Sequence, residues 1–273
     1  MPRAKVNGIN IDYEICGSGE PVIMIQGLGG PRVGWTFQKR AFSWHYRVVL
    51  FDNRGVGRSD KPVERYTIKT MADDAIGLMD HLGIESAHVM GTSMGGMIAQ
   101  ELAINYPERV RKLVLVCTTA GMEDDSLMRL KHQKMLGLGD GTVEANLDNI
   151  DVKTMGRVMA NITGLAFSKL SFRIFLVPVS KIYFRFSSIV EGILGQMKAV
   201  ADYSTVDRLH LIKAPTLVIV GTGDRILPSE SSDLLASRIP DARLVRIEGG
   251  SHSFFMEKRG EFNRVVLNFL RGS

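Results

Sequence analysis

The chain is poor in the signals that announce a special environment or a bound cofactor. It holds two cysteines in 273 residues, Cys16 and Cys117, each closing an apolar run. A disulfide framework is therefore excluded, and two reduced, buried thiols in a cytoplasmic protein are expected. No stretch approaches the roughly 18 apolar residues of a membrane span, and the opening MPRAKVNGIN has no apolar signal core. There is no Gly-Lys-Ser/Thr phosphate loop. In GLGGPR the third glycine of a dinucleotide fingerprint would fall at Arg32, so NAD, FAD and ATP roles are disfavoured and no cofactor is expected. The six histidines show no metal-ligand spacing, and no metal is expected. The net charge of +5 and pI near 9.2 come from 34 basic residues scattered among 29 acids. Without a basic stripe the surface reads as solvated, with no nucleic-acid partner.

What is present is strand and helix in alternation. VNGINIDYEICGSGE alternates apolar and polar residues about Asn7-Gly8, which predicts a hairpin. PVIMIQG, YRVVLFD, SAHVMG, RKLVLVC and APTLVIVG are short apolar runs of the kind buried on both faces of a parallel sheet. Helical segments lie between the first of them, notably from about Thr67 to Gly83 and in MGGMIAQELAINYPE. Such alternation predicts an α/β fold, a mostly parallel sheet with helices on both faces.

The alternation stops near Thr119. Residues 121–210 are rich in Met, Ile, Phe and Leu at helical spacing, interrupted by Pro178 and several glycines. Strand-and-helix order then resumes with TLVIVG, a helix near Ser229 to Arg238, the strand ARLVRIEG and a closing helix FMEKRGEFNRVVLNFL. The reading is an α/β core formed by residues 1–120 and 211–273. A mainly helical cap, 121–210, is inserted after the sixth strand, over the carboxyl edge where open sheets bind ligands.

HVMGTSMGG interrupts a buried strand with a serine between glycines and continues at once as a helix. Gly91 and Gly95, two residues either side of Ser93, remove the Cβ atoms that a sharp strand-to-helix elbow cannot hold. A hydroxyl presented there is a weak nucleophile without a base, itself oriented by an acid. Asp224 follows TLVIVG on a Gly-bounded loop, and His252 follows ARLVRIEGG. The order Ser, Asp, His places all three beyond the ends of parallel strands, at one edge. Glu123, Asp124 and Asp125, after the preceding strand, remain rival acids. His45, His81, His88, His132 and His210 sit in helix-like or strand-flanking positions and read as surface or packing residues. Oxyanion donors are expected at the Met94 N–H and, in the loop MIQGLGGPRVGW, at the Leu28 N–H beside Gly27, Gly29 and Gly30.

FDNRGVGRSD, GTSMGGMIAQELAINYPERVRKLVLV, GTGDRILP and GGSHSFF, in this order, resemble the motifs of the α/β-hydrolase superfamily nearly end to end. The chain is similar in particular to its small-ester, enol-lactone and meta-cleavage-product hydrolases. The resemblance implies a Ser93 nucleophile, a His252 base and an Asp224 acid beneath a helical cap, with Arg54 and its neighbouring glycines as scaffold. Two departures stand out. Gln26-Gly27 replaces the His-Gly of many members, which leaves the rigidity of the oxyanion loop less assured. A serine in place of an aspartate nucleophile argues against the epoxide-hydrolase and haloalkane-dehalogenase branches.

The expected activity is hydrolysis of small to medium carboxylic esters through an acyl-enzyme, on a small apolar ester or related acyl substrate. Carbon–carbon bond or lactone cleavage is the alternative, and a ligand-binding receptor on this fold is a more distant one. The Met and Phe residues of RVMANITGLAFSKLSFRIFLVPVSKIYFRF serve either cap packing or an apolar acyl pocket. Arg157, Arg173, Lys181 and Arg185 are candidates to meet a carboxylated substrate, or simply solvated helix faces.

Overall fold

Asn7 and Gly8 both adopt positive φ, 46° and 80°, the geometry of a two-residue hairpin turn whose twist suits the strands it joins. The turn links β1 (Arg3–Val6) to β2 (Ile9–Cys16) in a computed structural model that describes residues 2–121, 152–183 and 187–272. The remaining strands are β3 (Pro21–Ile25), β4 (Arg47–Phe51), β5 (Ala87–Thr92), β6 (Val110–Val116), β7 (Thr216–Gly221) and β8 (Arg243–Ile247). They form one sheet in the order β1-β2-β4-β3-β5-β6-β7-β8. Only β2 runs antiparallel to its neighbours; from β4 to β8 the pairing is parallel.

The two-residue period of the strands sorts their side chains into two cores. Val22, Met24, Val48 and Leu50 face one way, against Phe42 of α1 (Thr36–Phe42) and Phe262 and Val266 of α9 (Arg259–Arg271). Ile23, Ile25, Val49 and Phe51 face the other, against α2 (Ile68–His81), α3 (Met94–Asn105) and α7 (Ser229–Arg238). Every residue of β5 and β7 is buried, as doubly covered strands require. β8, at the sheet's edge, is covered less completely: Arg243 and Arg246 are exposed and only Ile247 is buried.

Three helices, α4 (Val152–Ala166), α5 (Leu170–Tyr183) and α6 (Ser187–Ala201), lie between β6 and β7. Met155, Val158 and Met159 pack on Val190, Ile193 and Met197 in a third, separate cluster. The chain leaves the core at Gly121 and rejoins it at Ser204, where the two residues form an antiparallel bridge. Tyr203 and Leu209, inside the segment read as the insertion, pack with the core. Leu209 sits on a 3-10 turn over Val206–Leu211 and Tyr203 just before it, with no strand-like pattern to flag the return.

Three details depart from the sequence reading. α5 continues through Pro178; the carbonyl that loses its partner belongs to Ile174, which is 65% exposed, so solvent can take the donor's place. The closing helix breaks at Lys258 (φ −114°, ψ 37°) into a single turn, α8 (Phe254–Glu257), and α9. Cys117 is buried, whereas Cys16 is only half-buried, because it ends β2 just before the exposed turn at Gly17 and directs its thiol at Glu14 (3.4 Å). Among the described residues no helix is long and apolar enough to cross a membrane.

Candidate active site

Ser93 follows β5 directly and caps α3 with φ 53° and ψ −124°. An L-residue held there costs about 1–3 kcal/mol and persists only where its surroundings enforce it. The enforcement is visible. A Cβ on Gly91 would lie 2.0 Å from the Gly95 carbonyl oxygen, and one on Gly95 would lie 2.3 Å from that of Ile25. The Ser93 N–H donates to Val116 on the neighbouring strand (2.9 Å), and its carbonyl accepts from the Thr118 hydroxyl (2.7 Å). The hydroxyl is left on a turn fixed by these backbone contacts and by the Thr118 side chain.

Asp224 and His252 arrive on the loops that follow β7 and β8. His252 Nδ1–H donates to Asp224 Oδ2 (2.7 Å), and a carboxylate, which can only accept, sets this tautomer and leaves Nε2 as a base. The other oxygen, Oδ1, accepts from the Ile226 and Leu227 N–H groups (2.8 and 3.1 Å). Burial by itself would raise the Asp224 carboxyl. The His252 charge and hydrogen bond, with the two backbone donors, outweigh it and hold the carboxyl below its ordinary range.

Ser93 and His252 line the same cavity, of about 750 Å³, between the sheet edge and the helices α4, α5 and α6. The Leu28 and Met94 N–H groups meet no acceptor among the described residues, which leaves both open to an anionic oxygen. Gly27 brings the loop against the elbow; a Cβ there would come within 3.0 Å of Ser93 Cβ. The departure at Gln26 does not leave this loop slack. Asn53 Nδ2–H donates to the Gln26 carbonyl (3.0 Å), and the Gly29 N–H donates to Gln196 Oε1 (2.9 Å). Gln196, on α6, in turn donates to the Arg54 carbonyl (2.7 Å). Arg54 itself forms a buried two-point ion pair with Asp74 (2.6 and 2.7 Å), a scaffold role.

Sequence reasoning missed Gln196 and the placement of Cys117. A glutamine in an amphipathic helix carries no local signal of what it will brace. Cys117, directly after β6 and beside the elbow, presents its sulfur so that the ligand atoms of Cys117, Asp224 and His252 lie within 4.8 Å of one another. Burial, then the Asp224 charge, push the thiol well above its ordinary range. A protonated thiol and an already bonded Asp–His pair are poor metal donors, and we assign no metal there. The rival acids Glu123, Asp124 and Asp125 lie outside the described residues, as does His132. His45, His81 and His210 are exposed, and His88 is buried against Tyr46 and Glu20.

The rest of the cavity wall is mostly apolar, including Met97, Met159, Ile162, Phe167, Leu176 and Phe255. Among its described residues none is Lys or Arg, and Glu230 is the one acid. Arg157 and Arg173 are exposed elsewhere on the cap; the Lys181 side chain and Arg185 lie outside the described residues.

Residues 20–259 match the family model described as alpha/beta hydrolase fold. A putative carbamate hydrolase RutD of Azorhizobium caulinodans is 30% identical over 98% of this chain and 98% of its own. Among solved structures, the enol-lactonase from Burkholderia xenovorans LB400 superposes with a TM-score of 0.81 at 27% identity, covering 99% of this chain and all of its own. A thermophilic esterase from Thermogutta terrifontis gives 0.82 at 27% identity, covering 99% and 98%.

Proposed function

The chain belongs to the alpha/beta hydrolase family, and on that footing we propose that it cleaves small to medium carboxylic esters through an acyl-enzyme on Ser93. The observation that carries this reading is the Asp224–His252 pair at 2.7 Å, its ring lining the same cavity as the strained Ser93 elbow. A fold that only bound ligands would have no need to hold a serine in a disfavoured conformation beside an oriented imidazole.

In the proposed cycle His252 Nε2 takes the Ser93 proton as Oγ attacks the ester carbonyl carbon. Asp224 holds the imidazolium that forms. The Leu28 and Met94 N–H groups bind the oxyanion, each such donor lowering the barrier by about 2.7–4 kcal/mol in comparable sites. His252 returns the proton to the leaving alkoxide, which departs as alcohol. Water then loses a proton to His252 and attacks the acyl carbon; as the acyl–Oγ bond breaks, His252 gives that proton to Ser93 Oγ, and the acid leaves. No step calls on a metal or an organic cofactor.

The wall supports a neutral, apolar acyl group. A substrate carboxylate would meet no described cation in the cavity and would share it with Glu230. This favours esters over the charged dienoates of carbon–carbon hydrolases, and keeps uncharged lactones as the second reading. The test is p-nitrophenyl butyrate hydrolysis at pH 7–8 by the wild type and Ser93→Ala, with fluorophosphonate labelling alongside. Turnover lost with Ser93 supports the proposal; equal background rates in both proteins overturn it.

A further inference from the structure

Five residues beyond His252, the carboxylate of Glu257 is 9% exposed and takes no part in the chemistry above. Ser251 Oγ–H and Ser168 Oγ–H both donate to its Oε2 (2.5 and 2.9 Å), and the Lys169 N–H donates to Oε1 (2.6 Å). Lys169 Nζ donates to the Glu257 carbonyl (3.0 Å). On the far side of the histidine, the Ser253 N–H donates both to the Ala166 carbonyl (2.9 Å) and to Ser251 Oγ (3.2 Å). The residues flanking His252 and the end of the cap helix α4 are thus gathered on one buried anion. Phe167, between them, lines the cavity and stacks on Phe172 of α5 at 5.4 Å.

We propose that Glu257 is a positioning residue that couples the cap to the catalytic base. One arm, through Ser251, sets the loop that carries His252; the other, through Ser168 and Lys169, sets the cap wall at Phe167. This rests on the reading of His252 as the base that activates Ser93. A buried carboxylate can only accept, and it meets three donors. Replacing Oε2 by an amide NH₂ leaves the Lys169 N–H its acceptor but reverses the other two bonds, so that both serine hydroxyls must turn to accept and the negative charge that gathered them is lost. The two arms lead to different elements, so they act on different steps. The Ser251 arm governs the proton transfer common to every substrate. The Ser168 arm governs a wall that only longer acyl groups touch.

The test is the second-order rate of Ser93 labelling by two fluorophosphonates, one methyl and one octyl, in the wild type, Ser251→Ala, Ser168→Ala and Glu257→Gln. Ser251→Ala is expected to slow both probes equally, by roughly tenfold. Ser168→Ala is expected to slow the octyl probe severalfold and leave the methyl probe at the wild-type rate. Glu257→Gln combines the two effects; if it fails to fold, the two serine variants decide alone. Glue without positioning predicts a lower Tm with unchanged rates. Wild-type labelling by both probes in Ser251→Ala, or equal slowing of both by Ser168→Ala, overturns the proposal. A wild-type chain that neither probe labels overturns the nucleophile reading itself, and this one with it, a result distinct from a labelled wild type with silent variants.

Discussion

The cavity has two walls built on different principles. At the sheet edge, position is set by backbone: Ser93 is wedged by Gly91, Gly95 and Gly27, none of which has room for a Cβ at ordinary contact distance. Across from it, position is set by side chains: Met159 and Ile162 from α4, Leu176 from α5 and Phe167 from the link between them project into the same space. A backbone wall has few solutions and tolerates almost no substitution. A side-chain wall has many, since apolar residues of similar volume exchange at modest cost. On the proposed reading, chemistry belongs to the first wall and substrate choice to the second.

The comparison breaks if the edge can be altered without losing the reaction. Ser93→Ala is expected to lower kcat on p-nitrophenyl butyrate by about 10⁶, the scale of a lost nucleophile in a working triad. Asp224→Asn keeps the shape but offers Nδ1 an amide, and the imidazole tautomer reverses; a loss of about 10⁴ in kcat is expected. The same residue leaves a mark on stability. Its carboxyl is held below the ordinary value of 3.8 in the folded chain. It therefore stabilises the fold above that pH and loses its contribution as pH falls through the lowered value. In thermal melts, the Tm advantage of wild type over Asp224→Asn should shrink as the pH falls below about 4. An advantage that grew on acidification would contradict the pairing.

How much was legible beforehand divides along the same line. The doubly buried strands, the helix at Ser229–Arg238 and the Gly91-x-Ser93-x-Gly95 elbow could be read from the chain because each is dictated by local pattern. A run of apolar residues must be covered on both faces, and a tight turn must lack Cβ atoms. Gln196, Cys117 and Glu257 were not legible, because each acts on a residue far off in sequence or on another element, and its own neighbourhood carries no trace of that partner. The break at Lys258 was hidden for a related reason. The apolar spacing of FMEKRGEFNRVVLNFL runs on across it, while the bonds from Glu257 to Ser168 and Lys169 hold the first turn to the cap.

Gly95→Ala sharpens the contrast from the stability side. The added methyl would meet the Ile25 and Gln26 carbonyl oxygens at 2.3 and 2.7 Å, so β3 and the oxyanion loop must give way. Overpacking of this kind costs about 1–3 kcal/mol, and labelling of Ser93 should fall for short and long probes alike. A variant with wild-type labelling would mean that the elbow is far softer than its contacts imply.

The smallest change expected is also the one that tests the side-chain wall. Leu176 lines the cavity from α5 and is only half-buried, so Leu176→Ala should cost little stability, about 1 kcal/mol for the area it already covers. What it opens is room. If the acyl chain lies along this wall, each additional methylene that the enlarged cavity buries gains about 0.8 kcal/mol, roughly fourfold in kcat/KM. The ratio of octanoate to butyrate ester hydrolysis should therefore rise severalfold, while the acetate ester, too short to reach α5, keeps its wild-type rate. A ratio that stays fixed while all three esters slow together would place Leu176 with the machinery at the sheet edge and dissolve the division between the two walls.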